Sequence, residues 1–467
     1  MTISGGRLSL VQRDHTQHPP MPVDDLLHSL ALDAGGQAIG VILSGTGSDG
    51  ALGMQAIKAE GGLTFAQDET SARFSAMPRA AVDLGCVDSV LPPPALAQAL
   101  ARIARHPRTR PPPAIDGGAQ TGDDDDGMKR MFRILHKVCK VDFGDYKRGT
   151  LDRRLERRMV LRQVPTLTAY FDMLETEPGE AQAVCCDFLI NVTSFFREPE
   201  SFADLTRIVW PQLLEGRTPG VPLRIWVPGC ASGEEVYSVA MSALEYLGDR
   251  GDATRIQIFG SDVSEAAIAT ARAGLYIENI ERDVSPERIR RFFFKVNSHY
   301  QVTKQVRDLC IFCRHDVTRD PPFSHIDLVS CRNLRIYLAP EVQKRLMPVF
   351  HFALNPSGCL LLGAAESVGM SSHLFRPIEH AKAKLYVRKA TIDRSSVSTA
   401  EGKPAPRPFE PSADTPRAQA GESEQMQRKA DRIALSRFAP PVRRPCGSVA
   451  GGWIGPSTAS SCSRSRT

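Results

Sequence analysis

The chain has 467 residues, more than one ordinary core accommodates and enough for two or three domains. Its 42% hydrophobic and 24% charged content is that of a folded globular protein, which excludes a disordered or fibrous class. A formal charge of +5 is too small for a nucleic-acid footprint unless the basic residues cluster, and no apolar run approaches the roughly 18 residues of a membrane span.

The opening MTISGGRLSL lacks the charged-then-apolar pattern of a secretory signal, so a cytoplasmic protein without direct membrane insertion is expected. Eleven cysteines are scattered without the spacing of a disulfide framework. Cys310 and Cys313 form a lone CxxC with no second pair, so no metal site is expected.

Composition marks the boundaries along the chain. Residues 106–127, HPRTRPPPAIDGGAQTGDDDDG, are rich in Pro, Gly and Asp and read as a disordered linker. Apolar residues at helical spacing then predict helices over Met128–Cys139, Thr150–Leu161 and Leu167–Leu174. Within the second, LDRRLERRMVLR (151–162) places Arg153, Arg154, Arg157 and Arg158 on one helix face, either a solvated face or a basic docking surface.

From residue 223 the pattern alternates. Leu223–Val227 is a short apolar strand, Gly229–Gly233 a small-residue loop and Glu234–Leu247 a helix. Ile256–Phe259 and Ser264–Ala273 repeat the unit, and Asp327–Ser330 and Cys359–Leu362 add buried strands. Such alternation predicts a largely parallel sheet with helices on both faces and a ligand at the strand carboxyl ends. Asp262, closing the second strand, is placed to accept ribose hydroxyls. Acidic Glu234 and Glu235 at the helix start disfavour a pyrophosphate, and with it a nicotinamide oxidoreductase, and favour a nucleoside without phosphates such as S-adenosylmethionine. The segment after about residue 390, rich in Ser, Pro, Arg and Glu, reads as a disordered tail.

The segments NVTSFFREPESF (191–202), RIWVPGCASGEEVYSVAM (224–241), FGSDVSEAAIATARAGLY (259–276) and DLVSCRNLRIYL (327–338) resemble the chemotaxis receptor methyltransferase family, CheR. The resemblance implies a Rossmann-like class I S-adenosylmethionine-dependent α/β domain with an inserted β-subdomain, behind a small helical domain. It implies transfer of a methyl group from S-adenosylmethionine to glutamate carboxylates of chemotaxis-type receptors, with no nucleic-acid partner. By the same resemblance Asn191, Thr193 and Arg197 line the cofactor from the segment joining the two domains. Glu235 and Asp262 hold its amino end and ribose, Asp316 and Val317 flank the adenine, Arg332 and Asn333 follow the fourth strand, and Tyr337 stands near the transferred methyl. Many members carry Asn where this chain has Asp316. Because the acceptor carboxylate is already a nucleophile, Arg197 and Tyr337 are expected to position groups rather than move protons. The basic residues Arg153, Arg154, Arg157 and Arg158 are expected to steer the receptor's acidic helices.

Residues 37–100, with AIGVILSGTGSDGALGM and GGLTFAQDETSARFSAMPRAAVDLGCVDSVLP, resemble the C-terminal half of the chemotaxis methylesterase, CheB. That resemblance makes Asp49 a vestigial triad acid. A nucleophile-loop motif and a histidine in its context are missing from the first 36 residues, so no esterase activity is expected. Half a sheet also predicts an open edge. The expected segments are therefore 1–105, a partial methylesterase-like fragment; 106–127, linker; 128–205, helical domain; 206–390, methyltransferase domain; and 391–467, tail. The alternative function is a catalytically inactive signalling scaffold.

Overall fold

The computed structural model describes residues 1–10, 21–106, 122–189, 192–215, 217–218, 220–248 and 255–390. Asn191 and the tail from 391 onward lie outside the described residues, as does most of the expected linker.

An N-terminal hairpin, β1 (Thr2–Ser4) and β2 (Arg7–Ser9), precedes the fragment proper. The fragment is a three-stranded parallel sheet of order β3-β4-β5 (Ile39–Ile42, Leu63–Gln67, Ser89–Leu91), with α1 (Pro22–Ala34), α2 (Ala51–Ala59), α3 (Ala76–Asp83) and α4 (Pro93–Arg105). Of the three strands only the central β4 is buried throughout; Ile39 and Val90 on the flanking strands are exposed. Both edges are therefore open among the described residues, as half a sheet requires.

The helical domain consists of α5 (Gly122–Cys139), α6 (Arg148–Arg162), α7 (Leu167–Thr176) and α8 (Pro178–Phe188). The helix α5 begins inside the expected linker, at Gly122 rather than Met128. Their i, i+3 and i+4 apolar residues meet in one core that contains Phe143, Leu155, Tyr170 and Phe188.

Short helices α9 (Pro199–Asp204) and α10 (Trp210–Leu214) lead into a seven-stranded sheet. Its strands are β6 (Leu223–Pro228), β7 (Ile256–Asp262), β11 (Cys310–Arg314), β12 (Ile326–Cys331), β13 (Leu354–Leu362), β14 (Phe375–Pro377) and β15 (Lys384–Arg388), in the order β11-β7-β6-β12-β13-β15-β14. The first five are parallel, and β15 runs antiparallel to both of its neighbours. Helices α11 (Glu234–Leu247) and α12 (Glu265–Ala273) follow β6 and β7, and two cores form on opposite faces of the sheet. The inserted β-subdomain is an antiparallel trio of order β8-β10-β9 (Leu275–Ile277, His299–Val302, Phe293–Val296), with α13 (Pro286–Phe292) between β8 and β9 and α14 (Lys304–Arg307) after β10. Helix α15 (Pro340–Ala353) connects β12 to β13 and packs on one face of the sheet. Cys310 and Cys313 fall three residues apart on β11 and so face opposite sides of the sheet, which a shared metal site does not allow. Strand order reverses between β6 and β12, and a ligand crevice belongs there.

Candidate cofactor and acceptor site

The crevice begins where β6 ends. Gly229 turns with φ +69°, and a Cβ there would lie 3.0 Å from Leu334 Cδ1. Gly233 has φ +96° and approaches Ala271, whose Cβ would stand 2.8 Å from an added one, so glycine alone lets α11 start against α12. The peptide N–H groups of Gly229 and Cys230 donate to the Ser261 carbonyl at 2.7 and 3.1 Å. Asp262 holds the same loop: its Oδ2 accepts the Ala231 N–H at 3.0 Å and its Oδ1 the Ser264 N–H at 2.8 Å. Burial raises the Asp262 carboxyl above its ordinary range, and these backbone donors pull against that.

Asp262 lines one crevice with Gly229, Asp316, Val317, Leu334 and Tyr337. The helical domain closes its far side with Tyr146, Phe188 and Leu189. The crevice thus sets the apolar side chains of Val317, Leu334 and Phe188 beside the Asp262 carboxylate, the mixed lining that small-molecule sites use. Asp316 is held in a fixed turn, its Oδ1 accepting from Thr318 N (2.9 Å) and Oγ1 (2.7 Å).

Tyr337 ends the short 3-10 turn Arg335–Tyr337, and its carbonyl accepts the Lys147 N–H at 2.9 Å, which ties it to the start of α6. Burial raises its hydroxyl pKa; Arg197 and Arg154 oppose the shift, and Glu60 of the fragment adds to it. Tyr337 also lines a second cavity of about 520 Å³ that holds Arg197. Within the described residues the Arg197 side chain makes one hydrogen bond, from Nη1 to the Val192 carbonyl at 3.4 Å. Tyr337 thus lines both the crevice of Asp262 and the cavity that holds Arg197.

Other expected site residues are placed differently. Glu235 accepts from Ser330 Oγ at 2.6 Å and pairs with Arg332 Nη1 at 3.5 Å; burial raises its carboxyl while Arg332 and Ser330 lower it. Arg332 has no exposed side-chain surface, pairs with Glu198 at 3.2 Å and donates to the Arg197 carbonyl. Asn333, at φ +58°, gives its N–H to Glu366 at 2.9 Å. None of the three lines the crevice; they form the braced layer behind it, and Arg332 holds the backbone of Arg197. Thr193 lines a neighbouring cavity with Glu234 and Ser264, joined to the crevice through Val263 and Leu189, which line both. Leu334 and the helical-domain residues Tyr146, Phe188 and Leu189 had not been expected. Leu334 lies inside the quoted motif RNLRIYL, whereas nothing local to Tyr146 marks it.

The basic helix requires a correction. Arg154 and Arg157 are buried, and α6 turns them toward the methylesterase-like fragment rather than toward solvent. Arg154 donates to the Asp187 carbonyl at 2.7 Å and to Ala59 O at 2.6 Å, at the carbonyl end of α2 where a cation is favoured. Arg157 donates to Gly62 O at 2.8 Å and pairs with both Asp88 and Asp187. Arg158 forms a bidentate pair with Glu180 at 2.9 and 2.6 Å. Of the four, only Arg153 is exposed. Helical spacing is the same for a solvated face and for one that packs against acids, so the sequence pattern could not separate them.

In the fragment Asp49 caps α1: its Oδ2 accepts the Val23 N–H at 3.1 Å and its Oδ1 the Asp24 N–H at 2.9 Å. Beside it Asp24 is buried, and burial pushes its carboxyl up to about 6, with Asp49 contributing.

The fold and crevice define a Rossmann-like class I S-adenosylmethionine-dependent methyltransferase domain behind a small helical domain. Comparison with known proteins agrees: residues 191–384 match the family model described as CheR methyltransferase, SAM binding domain, and residues 126–189 the CheR methyltransferase, all-alpha domain. Residues 1–100 match the CheB methylesterase family. The chain therefore belongs to the CheR methyltransferase family, with a CheB methylesterase segment fused in front. An uncharacterized 104.1 kDa protein in the hypE 3′ region of Rhodobacter capsulatus is 38% identical over 79% of this chain, which spans 40% of that relative's length. Chemotaxis protein methyltransferase 2 of Pseudomonas aeruginosa is 28% identical over 58% of this chain and 96% of its own. The Thermotoga maritima CheB methylesterase catalytic domain is 32% identical over 16% of this chain and 41% of that chain, with a TM-score of 0.16.

Proposed function

We propose that the chain transfers a methyl group from S-adenosylmethionine to glutamate side chains of chemotaxis-type receptors. The observation that carries this is Tyr337, shared between the crevice of Asp262, Asp316 and Val317 and the cavity of Arg197. Asp262 would hold the ribose and Val317 the adenine, with Thr193 and Glu235 nearer the amino-acid end. The bound donor supplies a sulfonium-activated methyl. Arg197, a planar fork matched to a carboxylate, orients the acceptor, and Tyr337 restricts its approach. Neither residue moves a proton, because the acceptor is ionised at neutral pH. Exclusion of water by Phe188 and Leu189 strengthens the attraction between acceptor and donor.

The acidic receptor domain and a cytoplasmic location follow from the same proposal. All nine cysteines among the described residues are free, as a reducing compartment requires, and none of the described helices is long and apolar enough to cross a membrane. The test is incubation of the full chain with methyl-labelled S-adenosylmethionine and the cytoplasmic domain of a chemotaxis-type receptor. Label released as methanol in base is the expected result. Tight S-adenosylhomocysteine binding without transfer would leave the inactive scaffold in its place.

A further inference from the structure

We propose that the methylesterase-like fragment forms the outer wall of the acceptor cleft, so that His28 and Glu60 help select which glutamate-bearing segment reaches Arg197 and Tyr337. This rests on the methyltransferase function proposed above. The cavity of about 520 Å³ has two sides from different parts of the chain: His28 and Glu60, on α1 and just after α2, face Lys147, Arg153, Arg197 and Tyr337. Tyr337 lines both this cavity and the cofactor crevice.

The wall is fixed on two flanks. On one, Arg154 and Arg157 grip the carbonyls of Ala59 and Gly62, and Val160 packs with Leu63 and Phe65. On the other, Asn279 Nδ2 donates to the Ser48 carbonyl at 2.9 Å and to Asp24 at 3.2 Å, and Arg282 pairs with Asp25 at 2.9 Å. A wall held this way cannot swing aside without breaking buried polar contacts.

Charge indicates the occupant. Four cations, Lys147, Arg153, Arg154 and Arg197, against one carboxylate attract an acidic side chain, yet Glu60 stands close enough to Tyr337 to act on its hydroxyl. A segment with several adjacent carboxylates meets repulsion from Glu60, whereas an acceptor glutamate with neutral or basic neighbours does not. The fragment then acts as a specificity element for the transferase.

The test uses the full chain, the same receptor domain, and the variants Glu60→Lys and His28→Trp. Both positions are exposed, and unchanged melting temperature and S-adenosylhomocysteine affinity confirm intact folding and cofactor binding. Glu60→Lys is expected to lower the receptor KM by about fivefold at low ionic strength, an effect that salt erases. Filling the cleft with His28→Trp is expected to raise KM. An active chain whose receptor KM ignores both substitutions overturns the proposal and leaves the transferase function standing. If the unsubstituted chain binds S-adenosylhomocysteine but transfers no methyl, the function itself fails and the proposal falls with it.

Discussion

Two parallel sheets in this chain end in acid-bearing loops, and they differ in what each carboxylate faces. Asp262, at the tip of β7, braces the glycine loop with two backbone hydrogen bonds and still lines a crevice. Asp49, in the loop before α2, has both oxygens on the first N–H groups of α1. The first sheet has seven strands and a core on each face; the second has three strands, both edges open, and depends on α6 for cover. The two carboxylates share a residue type and a place at or after a strand end; what separates them is that one faces a crevice and the other the start of a helix.

The contrast is broken most severely at Arg157. Arg157→Ala leaves the buried Asp88 and Asp187 with only the longer contacts to Lys58 (3.6 and 4.0 Å) and, for Asp187, to Arg158 (3.7 Å), and weakening a buried pair in this way costs up to about 3–5 kcal/mol. Denaturant unfolding should show that loss, with early proteolysis of residues 1–105. A wild-type unfolding curve would mean that the fragment does not depend on α6. Next in size, Asp262→Ala should weaken S-adenosylhomocysteine binding about 100-fold, equivalent to roughly 3 kcal/mol of charge-assisted hydrogen bonding, as read by titration calorimetry. Retained affinity would remove Asp262 from the site.

A smaller effect depends on pH. The Asp24 carboxyl titrates near 6 in the folded chain, above its ordinary 3.8. Above pH 6 it is ionised in folded and unfolded chains alike, and its buried charge opposes folding. As pH falls from about 6 towards 4 only the folded state takes up the proton, so this group's contribution grows more favourable. Asp24→Asn should remove that pH dependence from the melting temperature; identical pH profiles would show that Asp24 does not titrate as described. Smallest of all, Asp49→Ala should cost about 1 kcal/mol as a lost helix cap and leave methyl transfer unchanged. A larger effect on transfer would give the fragment's acid a role beyond α1.

Residue order alone determined most of the methyltransferase sheet. Strands β6, β7 and β12 contain the predicted runs and extend them by one to three residues, and α11 spans Glu234–Leu247 as expected, because buried parallel strands and amphipathic helices carry strong local periodicities. Asp262 was legible from its place at a strand end, where topology puts a ligand, whereas Val317 and Tyr337 were singled out only by the resemblance of their motifs to the family. Helix α8 escaped notice, since its polar and apolar residues alternate too weakly to stand out before folding.

Only the tertiary structure decided where the arginines of α6 point and what stands opposite Arg197. A helical repeat says that Arg154 and Arg157 share a face, but it carries no information about which of two surfaces that face meets. Their partners, Ala59, Gly62 and Asp88, lie some 70 to 95 residues away, and contacts at that separation exist only once the fragment has docked. The same holds for Tyr146, which enters the crevice because the helical domain closes over it. Local pattern fixes which side of an element is buried; the identity of what buries it is settled by long-range packing.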